Sequence, residues 1–211
     1  MSNNKYFDEE VIEMVNEAES SFADNALPAD DLPRDEQTIY TGIKILGEWI
    51  AFEERRFIEE KISMTVPAEY KPMDEETAQI KYPMEQRPGV ILTDHTGASN
   101  ISINHMDQAI SADELEKFRD KMASMMNRMN PGIKAQATGT EEISGNKAVY
   151  VEFTNPALDM KLYNLMFFME LDGRVLMINI NFPAKSMKYW KDPAFEMMRS
   201  VKIKKGQTED E

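Results

Sequence analysis

The sequence predicts an α+β fold: a twisted antiparallel sheet of about six to seven strands flanked by helices, with an extra helix at the N-terminus. Three local patterns carry this expectation. Two apolar-alternating runs flank Asp172-Gly173, a capped helical stripe opens at Ser111, and short strand-like runs punctuated by turn residues fill much of the rest. The first pattern is the most exacting. If Asp172-Gly173 is a two-residue turn, Leu171 faces Arg174. Met169 then faces Leu176, Phe167 faces Ile178, Leu165 faces Ile180 and Tyr163 faces Phe182. Both apolar sets land on one face, and a slip of one residue would destroy the agreement, so this hairpin is expected at the centre of the sheet.

Taken in order, residues 8–22 read as an amphipathic helix. Asp8 is the N-cap, acids crowd the first turn, and Val11, Met14, Val15, Ala18 and Phe22 share a stripe. Residues 23–37, with Pro28 and Pro33 among acids, read as a linker to a single domain over 38–205. Thr38–Leu46 and Ile62–Val66 are strand candidates, while Glu48–Lys61 fits either a strand or a helix. Val90–Asp94 and Ser99–His105 flank Thr96-Gly97-Ala98 as a hairpin. Ser111 and Glu114 form a capping box for a helix that Asn130-Pro131-Gly132 stops. Three strands are expected next, separated at Gly145-Asn146 and Asp172-Gly173; the first of these turns leaves its register open. A last helix starts at Asp192-Pro193 and turns Phe195, Met198 and Val201, or Met197 with Val201, toward the core. Val201–Lys205 closes the domain as an edge strand, and 206–211 is a frayed tail.

Composition narrows the functional classes. There are no cysteines among 211 residues, which removes disulfides, thiolate metal sites and a cysteine nucleophile. The net charge is -14, and residues 1–36 supply -9 of it. Such a chain repels phosphate backbones and attracts a basic protein surface, although acidity also serves solubility alone. No apolar run approaches the roughly 20 residues that span a bilayer, and no secretory leader opens the chain, so a cytoplasmic location is expected without membrane insertion.

A search for chemistry finds no converging set. His95 and His105 lie at opposite ends of one hairpin arm, about 17 Å apart at ~3.4 Å per residue, too far to share an ion. Gly139 and Gly145 do not fit a phosphate-binding loop, since Asn146-Lys147 follows where Gly-Lys-Ser/Thr is needed. Adjacent acids such as Glu53-Glu54, Glu75-Glu76 and Glu141-Glu142 read as solvated surface, because neighbours on a strand point to opposite faces. No catalytic residue, cofactor or metal is expected. The composition does stand out in methionine, with 17 residues. Leu115, Phe118, Met122, Met125, Met126 and Met129 recur at helical spacing. That stripe reads first as core between helix and sheet. Its functional alternative is an adaptable groove for a partner, with Phe118, Met122, Met125 and Met129 as the contact residues.

The order of elements resembles the PsbP-like fold, in particular its bacterial DcrB-type branch, over about residues 50–205. The likeness rests on the early strand running into Pro67-Ala68-Glu69-Tyr70, on Lys81-Tyr82-Pro83 and Arg87-Pro88 before a hairpin, and on a closing helix with Trp190 and Phe195-x-x-Met198-x-Ser200-Val201. The acidic N-terminal segment lies outside the pattern. The resemblance implies a twisted antiparallel sheet with packed helices. It also implies binding rather than catalysis, since members include photosystem assembly factors, a Ran-binding protein and chaperones of secreted effectors. The expected function is therefore a cytoplasmic adaptor or chaperone holding an apolar segment of another protein, such as a secreted effector. The alternatives are an acidic immunity-type inhibitor of a basic toxin and an enzyme working with carboxylates alone.

Overall fold

The computed structural model describes residues 32–45, 47–82, 87–157 and 160–204. The expected helix at 8–22, most of the linker and the tail lie outside these. Seven antiparallel strands build the main sheet in the order β5-β6-β7-β11-β10-β9-β8. Their ranges are β5 Lys71–Pro72, β6 Val90–Thr93, β7 Asn100–Ala109, β8 Lys134–Ile143, β9 Asn146–Pro156, β10 Lys161–Leu171 and β11 Arg174–Pro183. A smaller sheet places β4 (Ile62–Pro67) between β3 (Phe52–Phe57) and β12 (Lys202–Ile203). A short hairpin pairs β1 (Ile43–Ile45) with β2 (Glu48–Ile50). The helices are α1 (Glu75–Lys81), α2 (Leu115–Met129) and α3 (Met187–Arg199).

The β10–β11 hairpin has the predicted register throughout, from Leu171 opposite Arg174 to Tyr163 opposite Phe182. β11 is the middle strand of the seven. The turn works because Asp172 (φ 51°) and Gly173 (φ 74°) both adopt the left-handed backbone that matches strand twist. The apolar face of this hairpin carries the larger core. Tyr163, Leu165, Phe167, Met169, Leu176, Ile178, Ile180 and Phe182 pack there with Ile62, Met64 and Val66 of the small sheet and with Ala194, Phe195, Met197 and Met198 of α3. Both alternatives weighed for α3 are thus buried together. Ser200 ties the end of that helix to β4: its Oγ donates to Met197 O at 2.7 Å and accepts from Thr65 N–H at 2.9 Å.

The opposite face is divided. α2 covers one half, where Leu115, Phe118, Met122 and Met126 pack on Val149, Val151, Phe153, Phe168 and Val175. Its predicted capping box is present, with Ser111 and Glu114 bonded reciprocally. The other half of this face is polar and forms the site described below.

Four differences from the sequence reading have physical reasons. α3 begins at Met187, not at Pro193, which sits inside it. Proline at the first turn is the commonest placement, but an interior one survives here because Pro193 is buried against the core and forfeits only one N–H bond. Four strands follow α2 rather than three, since the chain reverses between Pro156 and Lys161 and so divides 146–171. The first turn is Ser144-Gly145, one residue earlier than expected, with Ile143 opposite Asn146. α1 was not anticipated; Asp74 caps it by accepting from Thr77 N–H at 2.8 Å, yet Ala78 is its one buried residue, so it carries no apolar stripe. The ambiguous Glu48–Lys61 stretch resolves into β2 and β3.

Candidate functional site

On the polar half of the divided face, asparagines take positions that alternation would give to the core. β7 contributes Asn100 and Ser102, β10 contributes Asn164, β11 contributes Asn179 and Asn181, and β9 contributes Asn155 next to its last residue. Register brings them together: Asn181 lies opposite both Asn100 and Asn164, and Asn179 lies opposite Ser102. All but Asn155 are buried. The five asparagines floor a hollow of about 490 Å3 walled by Ile80, Lys81 and Tyr82 at the end of α1, by the Gly97-Ala98 loop, and by Pro156, Ala157, Met160 and Leu162.

The side-chain amides form two directed relays. Asn155 Nδ2 donates to Pro156 O at 3.2 Å, Asn164 Nδ2 donates to Asn155 Oδ1 at 2.7 Å, and Asn179 Nδ2 donates to Asn164 Oδ1 at 3.2 Å. In the second, Asn100 Nδ2 donates to Gly97 O at 3.4 Å and to Asn181 Oδ1 at 3.0 Å. A backbone carbonyl only accepts, so Pro156 and Gly97 fix which way each relay runs. Both end on an oxygen. Asn179 Oδ1 and Asn100 Oδ1 are buried with no hydrogen-bond partner among the described residues.

The mouth is braced by local chemistry. Asp94 Oδ1 accepts from Ala98 N–H at 2.9 Å and its carboxylate also takes the Thr96 hydroxyl, shaping the loop. Lys81 Nζ donates to Gly97 O across the opening. Burial raises the Tyr82 hydroxyl's pKa, against the opposing effect of a hydrogen bond with Asn181, so Tyr82 stays a neutral phenol at physiological pH. Lys81 is the one ionisable side chain other than Tyr82 lining the hollow among the described residues. The lining can hold a ligand by neutral hydrogen bonds and apolar contact.

Elsewhere, the residues singled out from sequence are dispersed. Phe118 and Met122 pack half-buried on the sheet, whereas Met125 is 38% and Met129 74% exposed. His95 sits exposed in the β6–β7 loop. His105 Nε2 is 2.9 Å from Leu171 O, and its Nδ1 is 3.0 Å from Arg174 Nη2, so both ring nitrogens are engaged. No cluster of three or more metal-ligating side chains occurs among the described residues. Among the described residues one acid is deeply buried: Glu152 Oε2 accepts from the Tyr163 hydroxyl at 2.5 Å and pairs with Lys191 Nζ at 2.6 Å. Desolvation, then Glu152, pushes the Tyr163 pKa far above its ordinary value. This trio joins β9, β10 and α3 and is a structural tie.

No protein-family model matches the sequence, and no curated protein matches it. Solved structures do. Cyanobacterial PsbP (CyanoP) from Synechocystis sp. PCC 6803 superposes with a TM-score of 0.55 at 11% identity, covering 72% of this chain and 92% of that one. The chain has the PsbP-like fold. LpqN of Mycobacterium tuberculosis, involved in cell envelope biogenesis, scores 0.48 at 14% identity over 79% of this chain and 97% of its own. PA94 of Pseudomonas aeruginosa scores 0.45 at 12% over 72% and 97%. The PsbP-like assignment agrees with the resemblance read from Pro67–Tyr70, Trp190 and Ser200-Val201. In the structure Tyr70 and Val201 are core residues, and Trp190 lies against Phe182 with ring centroids 6.3 Å apart. No helix among the described residues is long and apolar enough to cross a membrane.

Proposed function

We propose that this domain works by binding another protein and performs no reaction of its own, as a cytoplasmic adaptor or chaperone for a partner such as a secreted effector. One observation carries the reading: the hollow on the sheet is floored by neutral amides and walled largely by apolar groups. Amides donate and accept hydrogen bonds without moving protons, so they suit recognition more than acid–base work. The exposed Met125 and Met129 toward the end of α2 add adaptable apolar contact surface. Co-expression with the products of neighbouring genes, followed by size exclusion, is expected to yield a stable complex. Elution alone under all such pairings would sink the proposal.

A second reading, an immunity-type inhibitor of a basic toxin, draws on the net charge of -14. Charge-led capture loses affinity steeply with added salt, whereas amide and apolar contacts do not. The salt dependence of the complex therefore separates the two.

A further inference from the structure

The geometry points to the outer edge of β8 as a docking edge, where an extended segment of a partner protein adds an eighth, antiparallel strand and sets a basic residue opposite Glu142. This surface is separate from the asparagine-floored hollow. It deepens the protein-binding reading and rests on it for the source of the segment.

The register decides which backbone groups are left over. β8 ends the seven-stranded sheet, with β9 as its neighbour. Ser144 (φ 51°) and Gly145 (φ 76°) form a two-residue turn, with Ile143 opposite Asn146. Residues flanking such a turn exchange both main-chain hydrogen bonds, and bonded pairs then recur at every second position. Ile143, Glu141, Gly139 and Ala137 therefore turn their N–H and C=O groups toward β9. Glu142, Thr140 and Thr138 turn theirs outward, where they meet no partner among the described residues. All three are exposed.

Other edges of the two larger sheets suit pairing less well. β5 and β12 have two residues each, and β5 ends in Pro72. β3 carries Glu53, Glu54, Arg55 and Arg56 in succession, and charge along an edge discourages pairing. Residues 135–140 of β8 include neither charge nor proline. A bulge between Ala135 and Ala137 confines the regular edge to residues 137–143.

Side chains beside this edge select the occupant. Glu142 is exposed and forms no ion pair among the described residues; its cross-strand neighbour Lys147 is engaged with Glu116 at 3.0 Å. A cation on the incoming strand meets this carboxylate, since opposite charges stabilise cross-strand pairs. A second copy of the chain would bring a net charge of -14 instead. On the other face of β8 Gly139 has no side chain, and the Tyr150 ring lies over it. An apolar side chain opposite Gly139, three residues after the basic one, packs on that ring.

The test is a 1H–15N titration of the full chain, following the backbone amides of Thr138, Thr140 and Glu142. The probe is acetyl-Lys-Thr-Val-Leu-Thr-Val-amide, whose lysine and leucine fall opposite Glu142 and Gly139. Saturable shifts are expected. N-methylation of its first, third and fifth residues, whose N–H groups face β8, should weaken binding at least ten-fold. N-methylation of the second, fourth and sixth should change it less than three-fold. Thr140→Pro, which removes an outward N–H, is expected to cost at least ten-fold. Because proline can also disturb the strand, Glu142→Lys supplies an independent check. It should weaken the lysine peptide and bind a peptide with glutamate in the lysine's place better than the wild type does. No response, or equal binding of the two methylated peptides, overturns the inference. So does protection of the three amides that rises with the concentration of the chain alone, which assigns the edge to a second copy. If the cellular complex forms and survives both substitutions, the inference fails while the protein-binding reading stands. If the peptide binds as expected but no complex ever forms, the protein-binding reading fails instead.

Discussion

The ring of Phe118 on α2 meets that of Phe168 on β10 edge-on, with centroids 5.3 Å apart and planes at 81°. This contact anchors the helix to its half of the sheet. Phe118→Ala is therefore expected to destabilise the fold by about 2–3 kcal/mol, somewhat less than the ~3–5 of a fully buried phenylalanine. Met129→Ala, at a position 74% exposed, should stay within about 0.5 kcal/mol. Urea denaturation of the two variants checks the contrast, and equal effects would contradict it.

Lys191→Met leaves the Glu152 carboxylate buried with the Tyr163 hydroxyl as its remaining partner. A loss of about 2–4 kcal/mol is expected, because a buried charge without its counter-ion is costly. Adding Glu152→Gln to that variant should restore part of the loss. A double mutant less stable than the single one would refute the assignment of the trio as a charge-compensated tie.

Acid should weaken the link between α3 and the outermost strand β8. Arg199 grips Glu141 with two hydrogen bonds of 2.8 Å, and that bond holds the carboxyl pKa below its ordinary 4.5. Because the folded-state pKa is depressed, the stabilisation is complete above about 4.5 and is lost as pH falls through the lower value. Glu141→Gln should lower the urea midpoint slightly at pH 6, and the gap to the wild type should narrow as the pH is lowered below 4.5. A gap between the two proteins that persists at low pH would count against the pair.

At the β10–β11 turn, Gly173 needs its left-handed φ of 74°, donates its N–H to Glu170 Oε1 at 2.6 Å and accepts from Ile110 N–H at 2.9 Å. Gly173→Val should cost about 1–2 kcal/mol or more, a fall in Tm of roughly 2–8 °C for a domain of this size. Gly173→Asn should be milder, since asparagine tolerates the same backbone. Thermal melts of both variants give the order, and valine performing as well as asparagine would disprove the turn argument.

Legibility in the sequence followed the strength of local patterning. The β10–β11 register could be read because every alternate residue from Tyr163 to Phe182 agrees, and the cap at Ser111 because its two halves are three residues apart. α1 leaves little trace in the sequence since its short run of seven residues buries only Ala78. The reversal before Lys161 is hidden in the sequence because β9 and β10 are both apolar and Asn155-Pro156 still belongs to the end of β9. The hollow is the instructive omission. The register that aligned Tyr163 with Phe182 also aligns Asn164 with Asn181 on the reverse face, but Asn100 comes from a distant segment and Asn155 from beyond the hidden β9–β10 reversal. The methionine stripe drew attention because it is contiguous in sequence, and half of it packs on the sheet.

Because the two faces of the central strands pack against different partners, each face can change with little consequence for the other. Residues such as Leu165 and Ile180 hold the scaffold from beneath, while Asn164, Asn179 and Asn181 project from the same strands into a different environment. An exchange of these amides for other groups therefore leaves the contacts of the apolar face with α3 and the small sheet in place.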